Sequence, residues 1–473
     1  MQSPNILFLM CDQLRADALS PDSVCLTPHL DGLARRGVRF CRAYTPNPVC
    51  SPARASLMTG LLPHNHGVTV VTHTVDDDQA CLRTDKPHWA QQFVHAGYST
   101  GYFGKWHIER ANDLARYGWQ TNGSYESLGM QTAIRQRVQT GPYRLAGYNT
   151  APPGYRADSL LYGVTEAPVE NRMMTVAVDA AAEFLENATA GPTPWCCFVS
   201  LTEPHDPFVC GEEAYEQYDV DTLPLPVSAD DDLRGRPNVY RLAADVWRGL
   251  SERERREAAA CYYGSVTEID SQFGRLLQLL EANGQLGNTL VILTSDHGEF
   301  LGAHGLYCKN FHAGEEVYQV PLLMAGPGVA AEQVCPARVG THDLASTLLE
   351  YVGLVALEVP DSQSFFPLLA NPEVGSERER GYAEYSGGRM LLTQRVVWDG
   401  PWKFVFNGFD YSELYNLDDD PHELHNRVLD SDAQEVVKHM CRIMWETARR
   451  TGDHSLFNSQ YPILRVAPYG PEI

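Results

Sequence analysis

Cys50-Ser51-Pro52-Ala53-Arg54-Ala55-Ser56-Leu57-Met58-Thr59-Gly60 is the stretch from which the rest of the chain is read. Pro52 favours a helix start, because its missing N–H falls where a backbone donor has no intrahelical partner. Thr59-Gly60 reads as the end of that short helix. Cys50 is therefore expected at a helix N-terminus, where N–H groups and the dipole favour an anion. Arg54, one turn on, points the same way, and its fork pairs well with a tetrahedral oxyanion. An isolated cysteine in such a place is more often a buried small side chain, so the surrounding chain must decide.

With 473 residues, 44% of them hydrophobic, the chain can bury a large core and divide into a large and a small domain. A net charge of −23 excludes general nucleic-acid binding and repels an anionic substrate at long range. A site for such a substrate must concentrate positive charge locally. Only five lysines occur, against 32 arginines, and Lys105 and Lys309 both fall inside motifs described below. Met1-Gln2-Ser3-Pro4 leads straight into the apolar run Asn5–Met10, and no stretch has transmembrane length. Twelve cysteines without metal-type spacing then read as reduced thiols of a cytoplasmic protein, or of a periplasmic or secreted one if a leader has been trimmed.

Strand-like runs (Asn5–Met10, Tyr98–Phe103, Trp195–Leu201, Thr289–Leu293, Val320–Ala325) alternate with helical patterns (Pro28–Arg36, Met173–Leu185, Glu252–Glu281, His342–Val352). This alternation predicts an α/β fold with a large, mainly parallel sheet flanked by helices over residues 1–375. Residues 376–473 read as a smaller C-terminal α+β domain: strands Arg380–Tyr385, Met390–Trp398 and Trp402–Phe406, an Asp399-Gly400 hairpin turn, and a last helix Asp432–Thr451. The Gly-, Tyr- and Pro-rich stretch 122–167 is expected to be a long loop near the site mouth. The acidic runs Asp76–Asp78, Asp230–Asp232 and Asp418–Asp420 are expected at the solvated surface.

Polar residues gather where strands end. Asp12-Gln13 follows the first strand, and Asp296-His297-Gly298 follows Thr289–Leu293. In an open α/β sheet ligands collect beyond the carboxyl ends of strands, although Asp12 taken alone could equally cap a helix. Two carboxylates, an amide oxygen and an imidazole suit a hard divalent cation. Gly104-Lys105-Trp106-His107 follows another strand, and Glu203-Pro204-His205-Asp206-Pro207 a fourth. A histidine there suits proton transfer, its pKa lying near neutrality. Alone, each of these histidines would more often be structural, and Lys309 a solvated loop residue.

Together, Cys-x-Pro-x-Arg-x-x-x-x-Thr-Gly, Gly-Lys-Trp-His, Pro-His-x-Pro and Leu301-Gly-Ala-His-Gly-Leu-Tyr-Cys-Lys309 resemble the type I sulfatases of the alkaline phosphatase-like superfamily. The resemblance spans about residues 5–427 and fails in the loops 110–170 and 210–250. It implies a sulfuric ester hydrolase of arylsulfatase type, whose Cys50 is converted by a formylglycine-generating enzyme to formylglycine. The hydrate of that aldehyde is the nucleophile. It implies one divalent metal, Ca2+ ahead of Mn2+, on Asp12, Gln13, residue 50, Asp296 and His297, with Gln13 standing where the family has a second aspartate. Arg54, Lys105, His107, His205 and Lys309 are the implied catalytic groups, and His73 a substrate contact by likeness to the phosphonate monoester hydrolases. The implied partner is a sulfated small molecule or saccharide, with no nucleic acid and no membrane; a homo-oligomer stays open. A phosphonate monoester or phosphodiester hydrolase of the same superfamily is the rival reading, and a non-catalytic anion-binding protein of this fold a more distant one.

Overall fold

The computed structural model describes residues 3–76, 82, 86–110, 113–148, 159–309, 311–375, 377–388, 391–456 and 467–472. In chain order the strands are β1 (Asn5–Asp12), β2 (Val38–Tyr44), β3 (Ser99–Gly104), β4 (Thr121–Ser124), β5 (Tyr143–Tyr148), β6 (Leu160–Thr165), β7 (Trp195–Pro204), β8 (Phe208–Gly211), β9 (Thr289–Ser295), β10 (Leu322–Ala325), β11 (Gln333–Gly340), β12 (Gly381–Gly387), β13 (Leu391–Asp399), β14 (Trp402–Asn407) and β15 (Glu413–Asn416).

Eight of them form one sheet in the order β11-β2-β10-β9-β1-β7-β3-β4. Every neighbour pair is parallel except those made by β10. Every residue of β1 is buried, and its side chains alternate between two cores. Leu7, Leu9 and Cys11 pack with the helices Met173–Thr189 and Glu252–Ala282, and Ile6, Phe8 and Met10 with the helices Trp89–His95 and Asp343–Tyr351. A sheet covered on both faces explains why β1, β7 and β9 read as unbroken apolar runs.

The C-terminal strands form an antiparallel sheet, β12-β13-β14-β15. Val397, Phe404 and Leu414 on one face pack against the helix Gln434–Thr451. Ala383, Val396, Trp398 and Val405 on the other meet Phe300, Leu306 and Tyr318 of the large unit.

The structure corrects the sequence in three places. The stretch 122–167 is not one long loop: it holds most of β4, a helix Leu128–Arg137, and β5 and β6, which join β8 in a second small sheet. Gly123, Gly147 and Gly163, among the glycines that suggested a loop, make room for aromatic rings; a Cβ on Gly147 would come 2.0 Å from the Tyr162 ring. Next, β2 and β11 join the large sheet although neither stood out in sequence; Arg39 and Arg42 interrupt the apolar pattern of β2, and Pro336 that of β11. Finally, Asp231 is not solvated but bonded to His304 (2.7 Å) and ion-paired with Arg236. Residues 77, 78 and 390, within the expected acidic run and strand, and 376 at the expected domain boundary lie outside the described residues.

Candidate active site

Four adjacent parallel strands, β9, β1, β7 and β3, deliver their ends to one place. Asp12 is the last residue of β1, Asp296 and His297 follow β9, Lys105 follows β3, and His205 follows β7. Gly104 makes one of these exits possible. Its φ of +98° turns the chain, and a Cβ there would lie 2.0 Å from the Ser200 carbonyl. The helix Cys50–Thr59 begins at Cys50 itself and ends at Gly60 in the left-handed region, as its sequence predicts.

Asp12, Cys50, Asp296 and His297 are all buried, with their ligand-type atoms within 4.8 Å of one another. The Cys50 Sγ lies 3.2 Å from His297 Nε2 and 3.7 Å from Asp12 Oδ1. His297 Nδ1 donates to the Gly298 carbonyl at 2.9 Å, which orients the ring with Nε2 toward the cluster. Arg54 neutralises the carboxylates from behind: Nε to Asp296 Oδ2 at 2.7 Å and Nη2 to Asp12 Oδ2 at 3.2 Å, all three side chains wholly buried. Its Nη1 donates to the Lys105 carbonyl (2.8 Å) and Ser200 Oγ (2.7 Å). This corrects the sequence reading of Arg54. Four of the five N–H donors of the fork expected to meet a substrate oxyanion are taken by the protein, so Arg54 positions the two aspartates.

A second tier faces the cluster from the solvent side. Lys105 Nζ pairs with Asp12. Lys309 Nζ donates to Gln13 Oε1 at 2.6 Å and to His205 Nε2. His205 Nδ1 donates to the Asp206 carbonyl at 2.8 Å. Gln13, at φ +68°, donates its amide to Asp206 Oδ1 (3.1 Å) and to Glu299. Its oxygen is thus engaged with Lys309, outside the four-residue cluster in which it was expected. His107, at φ +56°, and the exposed His73 stand at the rim, joined Nε2 to Nδ1 at 2.8 Å.

The electrostatics follow from this packing. Burial pushes the Cys50 thiol up, but Lys105, Lys309 and His297 outweigh it and hold the thiol well below its usual range. Burial likewise opposes charge on Asp12, yet Lys105, His205 and Arg54 keep it ionised. Burial and Lys309 work against a charged His205, while Asp12 and Asp206 favour it, and the balance is upward. Burial raises Glu299 to about 7.

A family model described as Sulfatase matches residues 4–354. The chain belongs to the sulfatase family. A second model, N-sulphoglucosamine sulphohydrolase, C-terminal, matches residues 302–450. The chain is 31% identical over 447 residues to a choline-sulfatase of Rhizobium meliloti (strain 1021), covering 89% of this chain and 82% of that protein. A phosphonate monoester hydrolase from Silicibacter pomeroyi superposes with a TM-score of 0.77 at 25% identity, covering 96% of each chain. A protein solved with its substrate D-glucosamine-2-N,6-O-disulfate shares the fold, with a TM-score of 0.76 at 22% identity over 97% of this chain and all of that one. This sulfatase is a sulfuric ester hydrolase of the alkaline phosphatase-like superfamily.

Sequence reasoning missed three contributors to the sulfatase's site. Ser200, Asp206 and Glu299 hold Arg54, His205 and Gln13 respectively. Asp206 stands inside a motif quoted above and Glu299 directly after Asp296-His297-Gly298, but only the folded register shows which neighbour each one meets.

Proposed function

We propose that this sulfatase hydrolyses sulfate monoesters through formylglycine at position 50, with one divalent cation held by Asp12, Asp296 and His297. The observation that carries this reading is the Cys50 side chain, 3.2 Å from His297 Nε2, buried between two aspartates and facing Lys105 and Lys309. The donor set fits a cation: two carboxylates and one imidazole nitrogen converge at full burial, with only oxygen and nitrogen ligands besides residue 50. Carboxylate oxygens favour Ca2+, and the single imidazole admits Mn2+. The cation would polarise the sulfate oxygens as a Lewis acid. The aldehyde hydrate would supply one hydroxyl for attack and a second to release the sulfate, so no water need attack the covalent sulfo-enzyme; one water would enter when the freed aldehyde is hydrated again.

The chain's own residues do the rest. Arg54 fixes the two aspartates and so the geometry of attack. Lys105 and Lys309 face residue 50 and neutralise charge on the sulfate oxygens. Lys309 and His205 share a hydrogen bond and hold the proton that the departing alcohol takes. His107, braced by His73, accepts the proton of the second hydroxyl. Cys50 is 2% exposed, so a formylglycine-generating enzyme must reach it before the chain folds.

Among its relatives stand a choline-sulfatase, an N-acetylglucosamine-6-O-sulfatase and an ulvan-active sulfatase. A sulfated saccharide or small alkyl sulfate is the substrate class that these likenesses support. The rival, phosphonate monoester hydrolysis, draws on the Silicibacter pomeroyi neighbour and on Gln13. Parallel rates on an aryl sulfate, a sugar 6-sulfate and an aryl phosphonate monoester, with Cys50→Ala as the blank, decide between the two. The sulfate esters should turn over faster, and the blank should be inactive; a faster phosphonate rate overturns the sulfatase assignment.

A further inference from the structure

The loop that carries Lys309 into the active site lies on the C-terminal unit, and the reaction described above makes no use of that contact. Its base is closed inside the large unit, where the Gly298 and Glu299 N–H groups donate to the Val317 and Glu316 carbonyls, each at 3.0 Å. Glu299 also holds the outgoing limb, accepting from the N–H groups of Leu301 (2.9 Å) and Cys308 (2.6 Å). On the far side Phe300, Leu306, Ala313 and Val317 pack with Val396, Trp398 and Val405 of the C-terminal sheet. Apolar packing of this kind is non-directional: it chooses the face on which the loop lies, but not its position along that face.

Position is set by Lys403 of β14, whose side chain is wholly buried. An ammonium has three donors, and this one meets three oxygens. It donates to the Ala313 carbonyl and lies 3.0 Å from Glu315 Oε1 and 2.8 Å from Glu423 Oε1. Glu423 closes the arrangement, because its Oε2 accepts from the Glu315 N–H at 2.7 Å. The limb that returns from Lys309 is thus fixed at the carbonyl of Ala313 and at both the N–H and the side chain of Glu315. Gln394 of β13 adds a bond to the Phe311 carbonyl at 3.3 Å, two residues after Lys309. Burial opposes the charge on Lys403, but Glu315 and Glu423 prevail and hold it. Without the ammonium, two buried carboxylates would be left facing each other.

We propose that Lys403 is a positioning residue of the reaction: it fixes the returning limb of the loop and, through it, holds Lys309 Nζ against Gln13 and His205. The C-terminal sheet thereby takes part in catalysis without reaching the reacting atoms. Lys309 Nζ lies 2.6 Å from Gln13 Oε1, and a displacement of about 1 Å in such a group costs about 10²-fold in rate. This role rests on Lys309 acting at the sulfate and the leaving group, as proposed above.

The test is a double-mutant cycle of Lys403→Met and Lys309→Ala in the full-length chain. It is read as kcat on whichever of an aryl sulfate and an aryl phosphonate monoester the wild type turns over faster. Far-UV circular dichroism and thermal unfolding establish that each variant is folded at the assay temperature. Lys403→Met is expected to lower kcat by about 10²-fold, and to add no further loss in the Lys309→Ala chain, because both changes act through one amine. A lysine that only stabilised the fold would lower the unfolding temperature and leave kcat unchanged, a result that overturns the proposal. Losses that multiply across the cycle overturn it too. If Lys403→Met does not fold, Glu423→Gln takes its place in the cycle, and the same outcomes decide. Lys309→Ala at the wild-type rate overturns the role of Lys309 and this one with it, whereas multiplied losses overturn this one alone. A faster phosphonate rate removes the sulfatase assignment and leaves the cycle standing.

Discussion

Arg54 Nε lies 2.7 Å from Asp296 Oδ2, and neither side chain is exposed at all. The same guanidinium reaches Asp12, so one planar fork sets the separation of the two aspartates. Breaking a buried pair of this kind by removing one partner costs about 3–5 kcal/mol. Arg54→Met is expected to unfold at a lower temperature and to lose more than about tenfold in kcat/KM. Arg54→Lys should not restore either, because an ammonium cannot span both carboxylates as the fork does. Thermal unfolding and turnover measured together check this, and a lysine variant near wild type would contradict the positioning role.

His205 and Lys309 are in hydrogen-bond contact on the leaving-group side. Replacing His205 by Gln should slow esters of poorly acidic alcohols by about 10²–10⁴-fold and 4-nitrophenyl sulfate much less. A series of aryl sulfates of graded leaving-group pKa gives the answer as a steeper dependence in the variant. The same factor across the series would remove His205 from proton donation.

Chelation should abolish turnover, and Ca2+ should restore it better than Mn2+, because the cluster offers two carboxylates and one imidazole. A cation that binds only the native state also stabilises it, so the unfolding temperature should fall on chelation and recover with the ion. Full activity in exhaustively chelated protein would rule the cation out of the reaction.

Much of this site is legible because strands announce their ends. Asp12, Lys105, His205 and Asp296 each follow an apolar run, and a doubly covered sheet brings such ends together. Arg54 shows where reading along the chain stops. Its spacing from Cys50 is right, but which way its fork points depends on how the helix Cys50–Thr59 packs behind β1 and β9. Asp206 and Glu299 were hidden for the same reason, since both meet Gln13, which follows a different strand. The stretch 122–167 misled because Gly123, Gly147 and Gly163 accommodate aromatic rings on strands, a feature that leaves the composition of a loop.

The two units are stitched by His64, which pairs with Glu384 of β12 and whose Nε2 lies 3.1 Å from the Thr451 carbonyl. Burial opposes the charged imidazole, but Glu384 prevails and raises it to about 9. A raised folded pKa stabilises fully below the unfolded value near about 6.5, and that contribution is lost as pH rises through about 9. His64→Gln should therefore remove on the order of 2 kcal/mol at pH 6 and flatten the stability profile between about 6.5 and 9. Urea unfolding of both proteins across that range provides the check, and parallel profiles would contradict it.

The most direct measurement is the mass of the Cys50 peptide from protein that is active on a sulfate ester. Conversion to the aldehyde predicts a loss of about 18 Da from the encoded cysteine, in a fraction that rises in step with specific activity. A fully active preparation in which that peptide keeps the mass of unmodified cysteine would contradict the account.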